Sequence, residues 1–85
     1  MTITLRYFAW IRERIGRSEE TLDVPVEIAT VADLVGWLKA KGPEYAAAFE
    51  RAEVIRAALD HTHVQRDAPL AGVREVAFFP PVTGG

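Results

Sequence analysis

The apolar residues of this chain change period along its length, and that change restricts the fold more than any other feature. From Thr2 to Phe8 they alternate, with Ile3, Leu5 and Tyr7 on one face, which is the repeat of a half-buried strand. Glu20 to Val24 alternates again with Leu22 and Val24 inward, until Pro25 stops it. Between these two strands, Ala9 to Ile15 is short and helix-compatible, and Gly16 suits its C-terminal cap. The spacing then becomes helical: Val31, Leu34, Val35 and Leu38 form one stripe, with Thr30 placed to cap it and Asp33 placed to favour its dipole. Gly42-Pro43 ends this helix, and Pro43 opens a second short one in which Tyr45, Ala48 and Phe49 share a face. Strand character returns at Val54 to Leu59, in a turn plus short strand over 60–64, and at Glu75 to Phe79, after turn residues at Asp67 to Gly72. Strand, strand, helix and then several strands exclude an alternating βαβα fold and predict an α+β sheet with its helices on one face.

Composition sets the scale. Eighty-five residues make one domain with a modest core. Half of the residues are hydrophobic, which argues for a folded chain rather than a disordered one. The net charge is −2 and the arginines are scattered, with Arg6, Arg12, Arg14 and Arg17 offset by Glu13, Glu19 and Glu20. That pattern carries no nucleic-acid footprint. The N-terminus lacks a signal-peptide pattern and no apolar run reaches membrane-spanning length, so the expected compartment is the cytoplasm, with no membrane partner. Cysteine is absent, which removes disulfides, thiolate metal sites and thiol nucleophiles together. Should the chain handle sulfur, only its terminal carboxyl group remains to hold it.

That carboxyl group ends an unusual segment, Phe78-Phe79-Pro80-Pro81-Val82-Thr83-Gly84-Gly85. Pro80 and Pro81 fix φ and favour an extended path, while Val82 and Thr83 keep the backbone in the β region. Gly84 and Gly85 carry no Cβ, so a foreign backbone and a nucleotide can approach closely. Residues 1–79 are expected to form the folded domain, with 80–85 protruding as a tail that places a carboxylate in another protein's active site.

Two segments carry a family resemblance. Leu5-Arg6-Tyr7-Phe8-Ala9-Trp10-Ile11-Arg12-Glu13 and the ending Glu75-Val76-Ala77-Phe78-Phe79-Pro80-Pro81-Val82-Thr83-Gly84-Gly85 resemble the MoaD family of molybdopterin synthase small subunits, among the ThiS/MoaD-like sulfur carriers. The resemblance implies a β-grasp, ubiquitin-like mixed sheet with helices on one face, its first and last strands adjacent at the centre. It implies that Gly85 is adenylated, converted to a thiocarboxylate and used to donate sulfur to cyclic pyranopterin monophosphate in molybdenum cofactor biosynthesis. No cofactor is held permanently; ATP is spent by a MoeB-like adenylating partner, and a sulfurtransferase supplies the sulfur. The receiving protein is a MoaE-like large subunit, paired with this chain in a heterotetramer. Gly84, Thr83, Val82, Pro81 and Pro80 then form the segment that threads the partner's channel, with Phe8, Phe79 and Arg12 at the partner interface. The chain departs from relatives at Val73-Arg74, where Gly-Asp is common, and at Asp60, where Asn is common. The alternatives are a sulfur carrier for thiamine, tRNA or cysteine synthesis, and a ubiquitin-like protein modifier.

The remaining candidates read as structural. Phe78 and Phe79 are adjacent in a strand and so face opposite sides; one belongs to the core and the other to a partner. Trp10 and Trp37 are expected to pack, Trp37 half-buried off the main stripe. His61 and His63 share a face at strand spacing but lack a third ligand, so no metal site is assigned. Asp60 beside His61 has no accompanying nucleophile, and Glu50, Arg51, Glu53 and Arg56 read as solvated surface.

Overall fold

A computed structural model describes residues 1–81. In chain order it contains β1 (Thr2–Tyr7), α1 (Ala9–Ile15), β2 (Glu19–Asp23), α2 (Val31–Lys39), α3 (Pro43–Ala48), a 3₁₀ turn (Ala52–Val54), β3 (Arg56–Leu59), β4 (Thr62–Val64) and β5 (Glu75–Phe79). The five strands form one sheet in the order β2-β1-β5-β3-β4. β1 runs parallel to β5, and the other neighbours are antiparallel. This is the mixed, centrally paired sheet that the family resemblance implies, where the periodicity alone gives an α+β sheet, and the chain leaves it from the central strand β5.

Each element ends where local chemistry dictates. Gly16 takes φ 90°, a left-handed conformation that costs glycine nothing, and its N–H closes α1 onto the Arg12 carbonyl. Thr30 and Asp33 make a reciprocal capping box at the start of α2, and Pro43 sits at the first turn of α3. Two boundaries differ from the sequence reading. The second strand begins at Glu19 and ends at Asp23; Val24 lies just beyond it, buried, with its N–H donated to the Met1 carbonyl at 2.6 Å. Val54, expected to open a strand, instead closes the 3₁₀ turn, and the strand begins at Arg56.

The core lies between the sheet and the three helices. Ile3, Leu5, Tyr7, Val76 and Phe78 point up from the sheet, to meet Ile11, Leu34, Leu38 and Phe49. The Phe49 ring meets Phe78 edge-on, centroids 5.0 Å apart. Such edge-to-face pairs add about 1 kcal/mol beyond the area they bury. Trp10 and Trp37 are half-buried against this core, and the Trp10 indole N–H donates to the Ala48 carbonyl at the end of α3.

Candidate functional site

Strand alternation gives the sheet a second face, which the helices leave open. Opposite the core residues stand Arg6 of β1, Ala77 and Phe79 of β5, Ala58 of β3 and His63 of β4. Register places Arg6 beside Ala77, Ala77 beside Ala58, and Ala58 beside His63, a continuous row across four strands. Phe79 lies next to Arg56 in the adjoining row. The small alanines keep the centre shallow, with the larger groups around it.

Strand parity puts Phe8 and Phe79 on this side. The Phe8 N–H donates to the Phe78 carbonyl at 3.1 Å, which prolongs the β1–β5 ladder by one residue and brings Phe8 beside the end of β5. Phe8 is 40% exposed, one of the two exposed large hydrophobic residues among those described. The Arg6 guanidinium lies 5.8 Å from the centre of its ring. Phe79 is half-buried, its ring 5.1 Å from that of His63, while neighbouring Phe78 is buried in the core. One phenylalanine is therefore core and the other faces away from the helices. Arg12 is exposed on α1, one turn beyond Phe8, and its side chain makes no hydrogen bond or ion pair among the described residues. The structure shows no contact that ties Arg12 to the patch.

Pro80 and Pro81 follow β5 directly and are half-buried. Val82, Thr83, Gly84 and Gly85, the remainder of the expected tail, lie outside the described residues.

The histidine pair is not a shared strand face. His61 is a turn residue at φ 72°, its Nε2 3.7 Å from Glu75 Oε2, whereas His63 stacks on Phe79. Among the described residues, no group of three or more His, Cys, Asp or Glu side chains is placed to hold a metal. Asp60 is structural, since its Oδ1 accepts the N–H groups of Arg74 and Glu75 at 3.1 and 2.9 Å.

Arg6, Ala77 and Ala58 were not singled out from the sequence, although parity with Phe79 and Phe8 locates Arg6 and Ala77. A polar cluster on the helix-covered face was also missed. Glu20 shares the inward parity of Leu22 and Val24, and its side chain is only 8% exposed. Its Oε2 accepts the hydroxyls of Tyr7 and Tyr45, at 2.8 and 2.7 Å, and its Oε1 meets Arg17 Nη1 at 3.0 Å. Burial raises both tyrosine pKa values, and the hydrogen bond to the Glu20 carboxylate raises them further; Tyr45 is pushed up to about 12 and Tyr7 higher still.

Comparison with known proteins agrees with this architecture. The chain is 39% identical to the molybdopterin synthase sulfur carrier subunit of Escherichia coli over 98% of its length and 99% of that protein's. It is 31% identical to the protein of the same name from Haemophilus influenzae, again over 98% and 99%. The crystal structure of SAMP1 from Haloferax volcanii superposes with a TM-score of 0.73 at 26% identity, covering all of both chains. The fold is thus the ubiquitin-like β-grasp. The ThiS family model matches residues 5–85, and the chain belongs to the ThiS family.

Proposed function

We propose that this ThiS-family chain is the sulfur carrier subunit of a molybdopterin synthase. The observation that carries the reading is identity over the full length to relatives that bear that name. In this reading the Gly85 carboxylate attacks ATP in the site of a MoeB-like partner, releasing pyrophosphate and leaving an acyl-adenylate. A carboxylate is a poor electrophile because its leaving group would be oxide; adenylation supplies AMP instead. A persulfide sulfur borne by the sulfurtransferase then displaces AMP to give an acyl disulfide, and a thiol reductant cleaves its S–S bond, leaving a thiocarboxylate, a soft nucleophile that stays anionic at neutral pH. The large MoaE-like subunit provides the site in which that sulfur passes to cyclic pyranopterin monophosphate, and two carriers on a dimer of large subunits make a heterotetramer.

Two features of the fold support this division of labour. The central strand β5 leads straight into Pro80-Pro81, so the tail departs from the most firmly held part of the sheet. The open face beside that exit presents Phe8, Phe79 and Ala77, with Ala58 buried beneath and Arg6 at the border, an apolar centre with a polar rim, as docking surfaces have. In this reading Phe8 and Phe79 anchor the large subunit, while Arg12 reaches it from α1. Gly84 keeps the tip slim enough for a narrow channel.

The test is reconstitution. Incubation with a MoeB-like enzyme, ATP and a sulfur donor is expected to exchange one oxygen for sulfur in the intact mass. The product, mixed with a large subunit and cyclic pyranopterin monophosphate, is expected to form molybdopterin; a thiocarboxylated chain that yields none would sink the reading. A second reading, a ubiquitin-like modifier joined to lysines through Gly85, draws on the likeness to the Haloferax protein. It predicts higher-mass conjugates in cells rather than molybdopterin in the reconstituted mixture.

A further inference from the structure

The helical layer stops short of the β4 edge of the sheet. There a groove of about 440 Å³ opens between α2 and the 3₁₀ turn. Ala57, Val64 and Phe78 form its floor, and Val31, Val35 and Ile55 wall it. Its rim is basic, with Arg56 and Arg66 on either side and His63 at the strand edge. Neither arginine has a carboxylate within ion-pair distance among the described residues, and Glu53, on the same rim, is engaged with Arg51 at 3.7 Å. Two uncompensated guanidiniums beside an apolar slot, in a chain whose net charge is −2, select an acidic occupant.

The backbone adds a second selection. β4 is an edge strand, joined to β3 by the two-residue turn Asp60-His61. In such a hairpin the closing pair, Leu59 and Thr62, exchanges hydrogen bonds, so the next pair, Ala58 and His63, does not. The His63 N–H and C=O therefore point away from β3, and no other backbone group among the described residues takes them up. A small anion would use the arginines and leave this donor–acceptor pair idle. An extended peptide would use both.

We propose that the groove docks an extended acidic segment of another protein. The segment pairs with the His63 main chain, lays one branched apolar side chain over Ala57 and Val64, and sets flanking carboxylates against Arg56 and Arg66. This surface shares with the open sheet face Arg56, the register neighbour of Phe79, and His63, whose ring packs on Phe79, while Val35, Ile55 and Val64 belong to the groove alone and distinguish its occupancy from docking through Phe8.

The probe is the full-length ¹⁵N-labelled chain titrated with an acetylated, amidated peptide, Glu-Val-Ile-Val-Asp. Saturable amide shifts are expected at His63, Val64, Val35 and Ile55. Peptides with lysines at both ends, or with serines replacing the apolar residues, are expected to bind at least about tenfold more weakly. Charge reversal by Arg56→Glu with Arg66→Glu, at two exposed positions, is expected to cost at least about tenfold for the acidic peptide and to favour the lysine peptide. No shift at millimolar peptide, shifts confined to Phe8, Arg6 and Ala77, or indifference to charge reversal would each overturn the proposal. Glutarate alone, reproducing the same shifts at the same affinity, would overturn it in favour of a small-anion site.

Discussion

The Tyr45 hydroxyl donates to Glu20 Oε2 at 2.7 Å, across the gap between α3 and the edge strand β2. Tyr7, on the neighbouring central strand β1, donates to the same oxygen, so one carboxylate joins helix, edge strand and sheet centre. The cluster should set the alkaline limit of stability. An unfolded tyrosine ionises near pH 10, while Tyr45 in the fold holds its proton to about 12 and Tyr7 beyond that. Above pH 10 the unfolded chain releases protons that the folded chain keeps, so stability is whole below that pH and falls as pH rises. The slope is about 1.4 kcal/mol per pH unit for each tyrosine. A domain of this size holds only roughly 4–13 kcal/mol in all. The thermal midpoint is therefore expected to drop steeply between pH 10 and 12, with tyrosinate absorbance appearing together with unfolding. A phenol that ionised near pH 10 in an intact fold would contradict the cluster's geometry.

Removing the shared acceptor isolates its contribution. Glu20→Ala leaves two part-buried hydroxyls without their partner, and the cost of stranding such groups is about 1–3 kcal/mol each where water cannot reach them. Denaturant unfolding is expected to show a loss of roughly 2–4 kcal/mol with the slope unchanged. Glu19→Ala, one residue away and exposed, is expected to change stability by less than about 0.5 kcal/mol.

The β3–β4 turn carries strain that a substitution should relieve. Asp60 and His61 stand at φ 47° and 72°, the left-handed pair demanded by a two-residue hairpin turn. Asp tolerates this conformation, and its carboxylate accepts two backbone N–H groups from the segment entering β5. His61 has no such compensation: its contact with Glu75 is 3.7 Å long and exposed. His61→Gly is expected to raise stability by about 0.5–1 kcal/mol, whereas Asp60→Gly, which releases both N–H groups, should lower it by a similar amount or more. Thermal midpoints of the two variants, moving in opposite directions, are the check.

Much of this was legible before any coordinates. Alternation identified β1 and most of β2, and the stripe from Val31 to Leu38 identified α2, because each buries one continuous face and the period survives in the residue order. The boundary at Val54 was not legible, since Val54-Ile55-Arg56-Ala57 suits a strand equally well, and the backbone bonds from Val54 to Arg51 and from Ile55 to Ala52 that wind its start into a 3₁₀ turn leave no mark in the residue order. The cluster at Glu20 was half legible. Parity pointed the carboxylate inward, but its acceptance there depends on two hydroxyls, 13 residues before it and 25 after it, that no local pattern connects. The alanine centre of the open face, between the expected Phe79 and the strand edge, escaped notice for a related reason: Ala58 and Ala77 become neighbours only through the β3–β5 register.

Adjacent phenylalanines should separate folding from docking. Phe78 is fully buried against Phe49, so Phe78→Ala is expected to cost about 3–5 kcal/mol and to leave little folded protein on warming. Phe79 faces the helix-free side, with His63 its one aromatic neighbour among the described residues, and Phe79→Ala should cost about 1 kcal/mol or less. Its effect is expected in binding instead: at least about tenfold weaker association with the large subunit, as removal of an interface anchor commonly gives. Calorimetry on the folded variant decides the matter, and an unchanged affinity would remove Phe79 from the interface.

The base of the tail can be tested without touching the reacting residue. Pro80 and Pro81 restrict the backbone before the partner's channel is entered, so part of the ordering cost is already met in the free chain. Replacing both with glycine keeps Gly85 and its carboxylate and returns that freedom, at about 0.5–1 kcal/mol for each position. In the proposed synthase, the complex is expected to weaken by roughly five- to thirtyfold, with the rate of sulfur transfer at saturation almost unchanged. A variant that binds normally but transfers sulfur slowly would instead mean that the prolines aim the terminus rather than pre-order it.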